Sequence, residues 1–260
     1  MPYRTLHLEF TGEIALITLS RPEKRNAISP EMIAELFSAF SEVEASPARV
    51  LILTGAGKAF CSGMDLEALK SLATQSPAEQ REDADRLASL FLRIWSFPRP
   101  TIAAVNGHAI AGGCGIATLC DFTIAVPEAK FGYSEVRIGF LPAVVSVFLL
   151  RQIGEKQARD LLLTGRLFDA AEAHRYGLVN EVVEPGVLMI RARELAAQLM
   201  ENSPSSMRAT KRLINGFIAE QLDQQIGQAV QDNARIRTTA DFREGITSFL
   251  EKRKPRWSGK

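Results

Sequence analysis

The sequence predicts an α/β protein, because apolar runs of strand length alternate with stretches of helical length. Three of the apolar runs are expected to form buried strands: R-V-L-I-L-T-G (49–55), P-T-I-A-A-V-N-G (100–107) and F-T-I-A-V (122–126). After residue 203 the strand-like runs stop, and helical patterns continue to Phe249. We therefore expect a core over residues 1–202 and a helical C-terminal module over residues 203–260.

The first elements are a hairpin and a helix. L-H-L-E-F (6–10) and I-A-L-I-T-L (14–19) have the patterns of strands, and the three residues between them form a short turn. Ser29-Pro30-Glu31 then signals a helix start, with a capping serine, a proline at the first position and an acid near the positive end of the dipole. The apolar residues of this helix share one face: Met32, Leu36, Phe37 and Phe40.

Two later segments complete the expected organisation. Residues 71–86 are polar with an irregular pattern, which predicts a mobile, solvated segment before a helix that ends near Trp95. Ser203-Pro204 is a capping pair and predicts the start of the C-terminal helices.

Composition excludes several functional classes. The chain has 260 residues, 46% of them hydrophobic, and a formal net charge of +1, so no electrostatic footprint for nucleic acid or an anionic membrane is present. Three cysteines in apolar surroundings do not suggest a disulfide framework and predict a reducing, cytoplasmic location. The N-terminal segment lacks the apolar region of a signal peptide. The uncharged run from Pro100 to Cys120 holds polar residues and glycines, which suit a buried strand and turn better than a membrane span.

Common nucleotide and metal motifs are incomplete. G-A-G-K (55–58) lacks the first glycine and the final hydroxyl residue of a P-loop, since Ile52 and Ala59 occupy those positions. Gly113-x-Gly115 resembles half of a dinucleotide fingerprint, but the next strand follows too soon for a Rossmann crossover. No metal site is expected from the spacing of the histidines and cysteines, and His108 is interpreted as a packing histidine rather than a base.

Two glycine-containing loops attract attention as candidate oxyanion sites. T-G-A-G-K-A-F-C-S-G-M-D-L (54–66) and N-G-H-A-I-A-G-G-C-G (106–115) each follow a predicted buried strand and precede a helix start, where Asp65 can cap the first helix. Free backbone N–H groups at such junctions can hold a carbonyl oxygen as it becomes negative. The alternative is that the glycines only allow tight packing of strand and helix.

Glu135 is the candidate proton-transfer group. It lies in K-F-G-Y-S-E-V-R-I-G-F-L-P (130–142), between aromatic and apolar residues, where loss of hydration raises the pKa of a carboxyl group. The alternative is a surface ion pair with Arg137.

Six segments together resemble the enoyl-CoA hydratase/isomerase (crotonase) superfamily, in order and over nearly the whole chain. They are R-P-E-K-R-N-A-I (21–28), A-F-C-S-G-M-D-L (59–66), N-G-H-A-I-A-G-G-C-G-I-A-T-L-C-D (106–121), F-G-Y-S-E-V-R-I-G-F-L-P (131–142), L-L-T-G-R-L-F-D-A-A-E-A-H-R-Y-G-L-V-N-E-V-V (162–183) and F-L-E-K-R-K-P (249–255). The resemblance implies a crotonase-like spiral of ββα turns, with a C-terminal helical module that assembles homotrimers or hexamers.

The resemblance also implies roles for individual residues. The amides of Met64 and Gly112 match the oxyanion hole that grips the thioester of an acyl-CoA, and Glu135 matches a catalytic glutamate. The expected substrate-binding residues are Lys24, Arg25, Ala27, Ser62, Asp65, Leu66, Gly113, Gly115 and Lys252, the last as a residue that a neighbouring subunit can contribute. One departure stands out, because well-studied hydratases of the family have a second glutamate at the position of Gly115.

The resulting expectation is an enoyl-CoA hydratase, a lyase in which Glu135 handles both protons. It needs no cofactor beyond the coenzyme A of its substrate. The pattern around Glu135 resembles methylglutaconyl-CoA-type hydratases, which implies a role in branched-chain amino acid degradation or fatty acid metabolism. A double-bond isomerase with Glu135 as a single proton shuttle is the alternative. A binding protein for acyl-CoA or RNA, without turnover, is the alternative from another class.

Overall fold

The computed structural model describes residues 2–72 and 75–260. The helices are α1 Pro30–Ala45, α2 Leu66–Leu72, α3 Pro77–Trp95, α4 Gly112–Leu119, α5 Ala143–Gln152, α6 Glu155–Thr164, α7 Ala170–Arg175, α8 Leu188–Met200, α9 Pro204–Gly216, α10 Ala219–Ile236 and α11 Ala240–Leu250. The strands are β1 Leu6–Thr11, β2 Ile14–Leu19, β3 Val50–Gly55, β4 Ala59–Cys61, β5 Thr101–Val105, β6 His108–Ile110, β7 Phe122–Ala125, β8 Lys130–Gly132, β9 Phe168–Asp169 and β10 Glu181–Val182. Single 3-10 turns lie at Pro22–Lys24, Glu135–Ile138 and Pro185–Val187.

The strands form two sheets, and the chain passes between them at each turn. The six-stranded sheet has the order β1-β2-β3-β5-β7-β10, and the four-stranded sheet has the order β4-β6-β8-β9. Each long strand β3, β5 and β7 is followed by a short strand of the other sheet and then by helical structure. This repeat is the predicted ββα spiral, so the fold class expected from the sequence is confirmed.

The elements predicted from apolar runs are confirmed. β1 and β2 pair antiparallel as a hairpin, while β2, β3, β5 and β7 are parallel neighbours. Every residue of β3 and β5 is buried, as expected for parallel strands covered on both faces. Helix α1 begins as predicted, because the Met32 amide donates to Ser29 Oγ at 3.2 Å.

The prediction of a mobile segment at residues 71–86 is wrong for most of its length. Helix α2 reaches Leu72, and α3 begins at Pro77 behind a capping box formed by Ser76 and Glu79; residues 73 and 74 lie outside the described part of the chain. The buried face of this part of α3 consists of Gln80 and small residues such as Ala84, which do not produce a strong apolar pattern. Charged residues cover its other face, so the sequence resembles a solvated loop.

The C-terminal helical region is present and contributes to the core. Ser203 Oγ accepts from the Ser206 amide at the start of α9, as predicted. Helix α10 packs against α3 and α5, and α11 packs against the 3-10 turn Glu135–Ile138. This contact is close, because a methyl group at Gly245 of α11 would overlap the Ile138 carbonyl. The division at residues 202 and 203 stays a prediction.

None of the described helices combines the length and apolarity that crossing a bilayer requires. Across the described residues, no group of histidine, cysteine, aspartate and glutamate side chains is arranged to hold a metal ion.

Candidate active site

A cavity of about 550 Å³ opens between the loops that follow β4 and β6 and the segment that follows β8. Its walls come from the 3-10 turn Pro22–Lys24 and residues 62–69, from α3, and from residues 134–145. The spiral places these segments together, since β4, β6 and β8 are parallel neighbours in the smaller sheet. Loops after parallel strands emerge at the same edge, so three separate stretches of sequence meet at one point.

Met64 lines this cavity, and its backbone amide is the first candidate donor. The Ile28 amide donates to Gly63 O at 2.7 Å, and the Asp65 amide donates to Ile28 O at 2.9 Å. These two hydrogen bonds use the residues on either side of Met64 and leave the Met64 amide free of them. In the described chain the Met64 amide donates to no protein acceptor. A ligand oxygen is therefore the natural acceptor for this amide.

The Gly112 amide is the second free donor. It opens α4 behind Ala111, whose φ of 51° and ψ of −124° are unusual for a residue with a side chain. Such a backbone costs about 1–3 kcal/mol and persists where the surrounding structure imposes it. Among the described residues the Gly112 amide has no protein acceptor, and the partial positive charge of the helix start adds to its N–H.

The two donors lie close together. A methyl group placed on Gly63, the neighbour of Met64, would lie 3.8 Å from the Gly112 nitrogen. Both Met64 and Gly112 line the cavity. Their arrangement suits one oxygen that gains negative charge, which is the geometry of an oxyanion hole.

Glu135 lies on the same cavity as the two amides. Its side chain is buried, and Oε2 is sealed from solvent without a hydrogen-bond partner in the described structure. Burial disfavours the charged carboxylate and raises the pKa of Glu135 to about 7. The alternative of an ion pair with Arg137 is wrong, because Arg137 is exposed and forms no ion pair with Glu135 in the described chain.

Gly113 and Gly115 have packing functions and do not line the cavity. A methyl group on Gly113 would overlap the Cys61 carbonyl, so the glycine lets α4 lie directly on β4. A methyl group on Gly115 would lie 2.6 Å from Val145 Cγ1 and 3.3 Å from Phe91 Cζ. Apolar side chains thus occupy the space beside position 115.

The predicted binding residues Lys24, Arg25, Ala27, Ser62 and Asp65 all line the cavity. The first two bring positive charge to this end of the cavity, which Glu23 also lines. The Leu66 backbone opens α2, and its side chain is outside what the structure describes. Lys252 is exposed beyond the end of α11 and does not line the cavity.

Asp65 is a structural anchor of this wall. Its carboxylate lies 2.8 Å from the Arg21 guanidinium and accepts from the Glu67 amide at 2.8 Å, as a residue capping α2. Burial alone would raise the pKa of Asp65, but the Glu67 amide and Arg21 outweigh this effect and lower it.

Sequence reasoning missed Asn26, which is fully buried. Its Nδ2 donates to Ala56 O and Ala59 O, and its Oδ1 accepts from the Arg21 amide. Asn26 therefore connects the loop of residues 21–27 to the start of β4. Its φ of 54° agrees with the tolerance of asparagine for left-handed backbone. The signal was present, because asparagine in R-P-E-K-R-N-A-I is a residue that stabilises turns.

The apolar wall of the cavity was also missed. It is formed mainly by Leu87 and Phe91 of α3 and by Leu141, Val144 and Val145 near the start of α5. The pair Leu87 and Phe91 has helical spacing, but the polar surroundings of α3 obscured it.

The interpretation of His108 as a packing histidine is wrong. Its side chain is exposed at the start of β6, where Nδ1 accepts from the Lys130 amide at 3.2 Å. It does not line the cavity, so it is not placed to act as a base there.

Comparisons with known proteins agree with this geometry. Residues 9–260 match the family described as Enoyl-CoA hydratase/isomerase. A protein of Thermus thermophilus that carries the name of an enoyl-CoA hydratase is 45% identical over 247 residues, with 95% of this chain and 98% of the relative covered. The crotonyl-CoA hydratase of Syntrophomonas wolfei is 35% identical, and the match covers 100% of both chains. The crystal structure of an enoyl-CoA hydratase/isomerase from Xanthobacter autotrophicus superposes with a TM-score of 0.89 at 31% identity, covering 96% of this chain and 97% of that one.

The buried carboxyl group predicts how stability changes with pH. The ordinary pKa of Glu135 is 4.5 and its folded value is about 7. The folded state therefore holds a proton that the unfolded state releases between these values, so this group lowers stability as pH rises through that window. Glu135→Gln removes the effect and should raise the free energy of unfolding by roughly 3 kcal/mol at pH 8, with little gain near pH 5.

Urea unfolding of both proteins at the two pH values measures this difference. Glu128→Gln is the control, because Glu128 is exposed and does not line the cavity, so its effect should be small at both values. A Glu135→Gln variant that is no more stable than wild type at pH 8 would contradict the burial argument.

Proposed function

The chain belongs to the enoyl-CoA hydratase/isomerase family, and from this premise we propose how it works as an enoyl-CoA hydratase. The reaction adds water across the 2,3 double bond of an enoyl-CoA thioester. One observation carries the proposal: Glu135, with its pKa raised to about 7, shares a cavity with two backbone amides that have no acceptor among the described residues.

The amides of Met64 and Gly112 hold the thioester carbonyl oxygen. As water adds to C3, electron density moves onto this oxygen and gives an enolate. Preorganised donors favour the enolate over the neutral carbonyl, and each contributes about 3–4 kcal/mol in comparable sites. The Gly112 donor has the added field of α4 behind it.

Glu135 moves both protons. As a carboxylate it takes a proton from the attacking water while the water oxygen bonds to C3. The protonated Glu135 then returns that proton to C2 as the enolate collapses to the thioester. A carboxyl group with a pKa near neutrality suits both halves of this exchange. Position 115 offers no second carboxylate, so Glu135 and backbone groups hold the water.

The end of the cavity that carries Lys24 and Arg25 receives the CoA part of the substrate. Lys24 and Arg25 supply positive charge for the phosphates, while Ala27 and Ser62 line the passage toward Met64. Lys252 does not line this cavity in its own chain, and we assign it to the site of a neighbouring subunit.

The free thiols, the resemblance and the apolar wall bear on the physiological setting. All three cysteines are free thiols, which suits the reducing cytoplasm. The resemblance to methylglutaconyl-CoA-type hydratases predicts a branched substrate and a role in amino acid degradation. The apolar wall beside Glu135 can accept an acyl chain, as fatty acid metabolism would require.

Isomerisation is the alternative that a single carboxylate favours. Glu135 would then move a proton between C2 and C4, with the same oxyanion hole. Mass analysis of products separates the two reactions. A hydratase gives a product heavier by one water from a 2-enoyl-CoA, whereas an isomerase converts a 3-enoyl-CoA without a change in mass.

Replacing the proposed acid–base group tests its role. Glu135→Gln keeps the shape of the side chain but cannot carry the proton, so kcat should fall by roughly 10²–10⁴. The affinity of the variant for a CoA ester should stay within a few-fold of the wild-type value, because the two amides, Lys24 and Arg25 are unchanged. Steady-state hydration of crotonyl-CoA, with Glu128→Gln as the control, measures the effect. Turnover near the wild-type value would remove Glu135 from the mechanism.

Assembly is a second part of the proposal. Helix α9 buries none of its residues and exposes Leu213 and Ile214, and Phe217 directly follows it. These three residues are 60%, 58% and 74% accessible. Such a patch at one end of a helical module is typical of a contact between copies of a chain. We assign it to a trimer or hexamer.

Light scattering at micromolar concentration should give the mass of a trimer or hexamer. The variant Leu213→Lys with Phe217→Lys should shift the protein to smaller species, because charge replaces the apolar contact. Gln224→Lys, on an exposed position of α10, should leave the mass unchanged. A stable wild-type monomer would contradict the proposed assembly.

A further inference from the structure

A buried polar cluster adjoins the cavity at a distance from the reacting groups. Asp83, Leu87 and Phe91 follow one another at intervals of four residues on one face of α3, and all three line the cavity. Phe91 marks the catalytic end, because a methyl group on Gly112 would lie 3.7 Å from Phe91 Cζ. Asp83 lies about 12 Å further along the helix axis.

Arg237 and Asn233 complete this cluster beside Asp83. The Arg237 side chain is fully buried, with Nη1 2.9 Å from Asp83 Oδ2 and 3.2 Å from Gln80 O. Its Nε and Nη2 both donate to Asn233 Oδ1, at 3.1 and 2.7 Å. The guanidinium also lies 5.2 Å from the centre of the Phe140 ring.

Two polar atoms of the cluster, Asn233 Nδ2 and Asp83 Oδ1, are available to a ligand in the cavity. Arg237 has only donors, so Asn233 must turn Oδ1 toward it, and Nδ2 becomes the atom available on the other side. Asn233 is 5% accessible and lines the cavity, and in the described chain its Nδ2 makes no hydrogen bond. Asp83 Oδ1 likewise has no partner among the described residues, and Asp83 also lines the cavity.

A buried ion pair of this kind is weak evidence of a stabilising role. Well-packed apolar residues of similar volume usually serve a core equally well, because taking two charges out of water is costly. The wall between this cluster and the catalytic end is apolar, through Leu87 and Phe91. A polar cluster at the far end therefore matches a substrate whose chain is apolar in the middle and polar at its tip.

We propose that Asp83 and Asn233, held by Arg237, form a subsite for a neutral hydroxyl group at the distal end of the acyl chain. A hydroxyl donates to Asp83 Oδ1 and accepts from Asn233 Nδ2, which satisfies both free atoms. The distal carboxylate of a methylglutaconyl-type substrate would bring a second negative charge beside Asp83, so this subsite departs from the substrate that the resemblance implies. A methyl end would leave both polar atoms unpaired. The inference rests on the proposed hydratase function and names the class of its substrate.

The test compares substrates that differ only at the tip. A series of 2-enoyl-CoAs from crotonyl to decenoyl, with the ω-hydroxy and ω-carboxy counterparts of each, is assayed for hydration by the full-length protein. At the chain length that reaches the subsite, kcat/KM for the ω-hydroxy substrate should exceed that for the methyl-ended one by about tenfold.

Asn233→Asp is the decisive variant. It keeps the oxygen that Arg237 requires but replaces the Nδ2 donor with an acceptor, so the hydroxyl preference should fall by about tenfold. Asp83→Asn removes the charged acceptor and should also lower the preference. The hydroxyl preference is the ratio of kcat/KM for the ω-hydroxy substrate to that for the methyl-ended substrate. Both values are measured on the same variant, so a general loss of stability or activity cancels. Gln231→Glu makes the same charge change on an exposed position of α10 and should leave the ratio unaltered.

The outcomes separate this inference from the proposed function. Hydration of the methyl-ended series without any preference for the hydroxyl, or with preference for the carboxylate, would overturn the subsite and leave the hydratase standing. A hydroxyl preference that is unchanged in Asn233→Asp would also overturn the subsite. The cluster would then have only a structural role between α3 and α10. Failure to hydrate any enoyl-CoA would instead contradict the proposed function, and the inference with it.

Discussion

The burial of one carboxyl group without a partner is the constraint on which the site depends. Glu135 loses its hydration in an apolar wall, and Oε2 has no compensating hydrogen bond in the described chain. A fold tolerates such a group only if surrounding contacts hold it in place. Here the short 3-10 turn that carries Glu135 is held by α11, whose Gly245 lies against the Ile138 carbonyl. Helix α11 therefore helps to hold this buried carboxyl group in position.

The opposite side of the cavity also holds unfavourable features, which lie in the backbone beside the two donor amides. Ala111 adopts a backbone conformation that favours glycine, directly before the Gly112 amide. Gly63 adopts a φ of 87° directly before Met64. Both donors thus follow a residue with positive φ, and both remain unpaired in the described structure. Stability is lost at these points, and the large buried core of parallel strands offsets the loss.

Much of this arrangement could be predicted from the sequence. The strands β3 and β5 appear as apolar runs, and Ser29 and Ser203 mark helix starts because capping is a local interaction. Glu135 could be singled out because its neighbours in sequence are apolar. The roles of Met64 and Gly112 came from the resemblance to a family, since an amide carries no residue-specific signal.

Other features depend on contacts between distant segments and could not be predicted. The first part of helix α3 resembled a loop because its buried face uses Gln80 and alanines, and the helix packs against α10 and other distant elements. Gly115 was considered as a substrate contact, yet its space is taken by Val145 from a segment thirty positions further along the chain. Arg237 and Asp83 are charged residues far apart in sequence, and nothing local indicates that they form a buried pair.

In the proposed mechanism Glu135 performs both proton transfers from one face of the double bond. Hydration of a 2-enoyl-CoA in deuterated water tests it most directly, with the position of the label determined by NMR. We expect a 3-hydroxyacyl product with a single deuterium at C2, on the same face as the new hydroxyl group. Deuterium on the opposite face, or on both faces equally, would require a second proton donor and would contradict the claim.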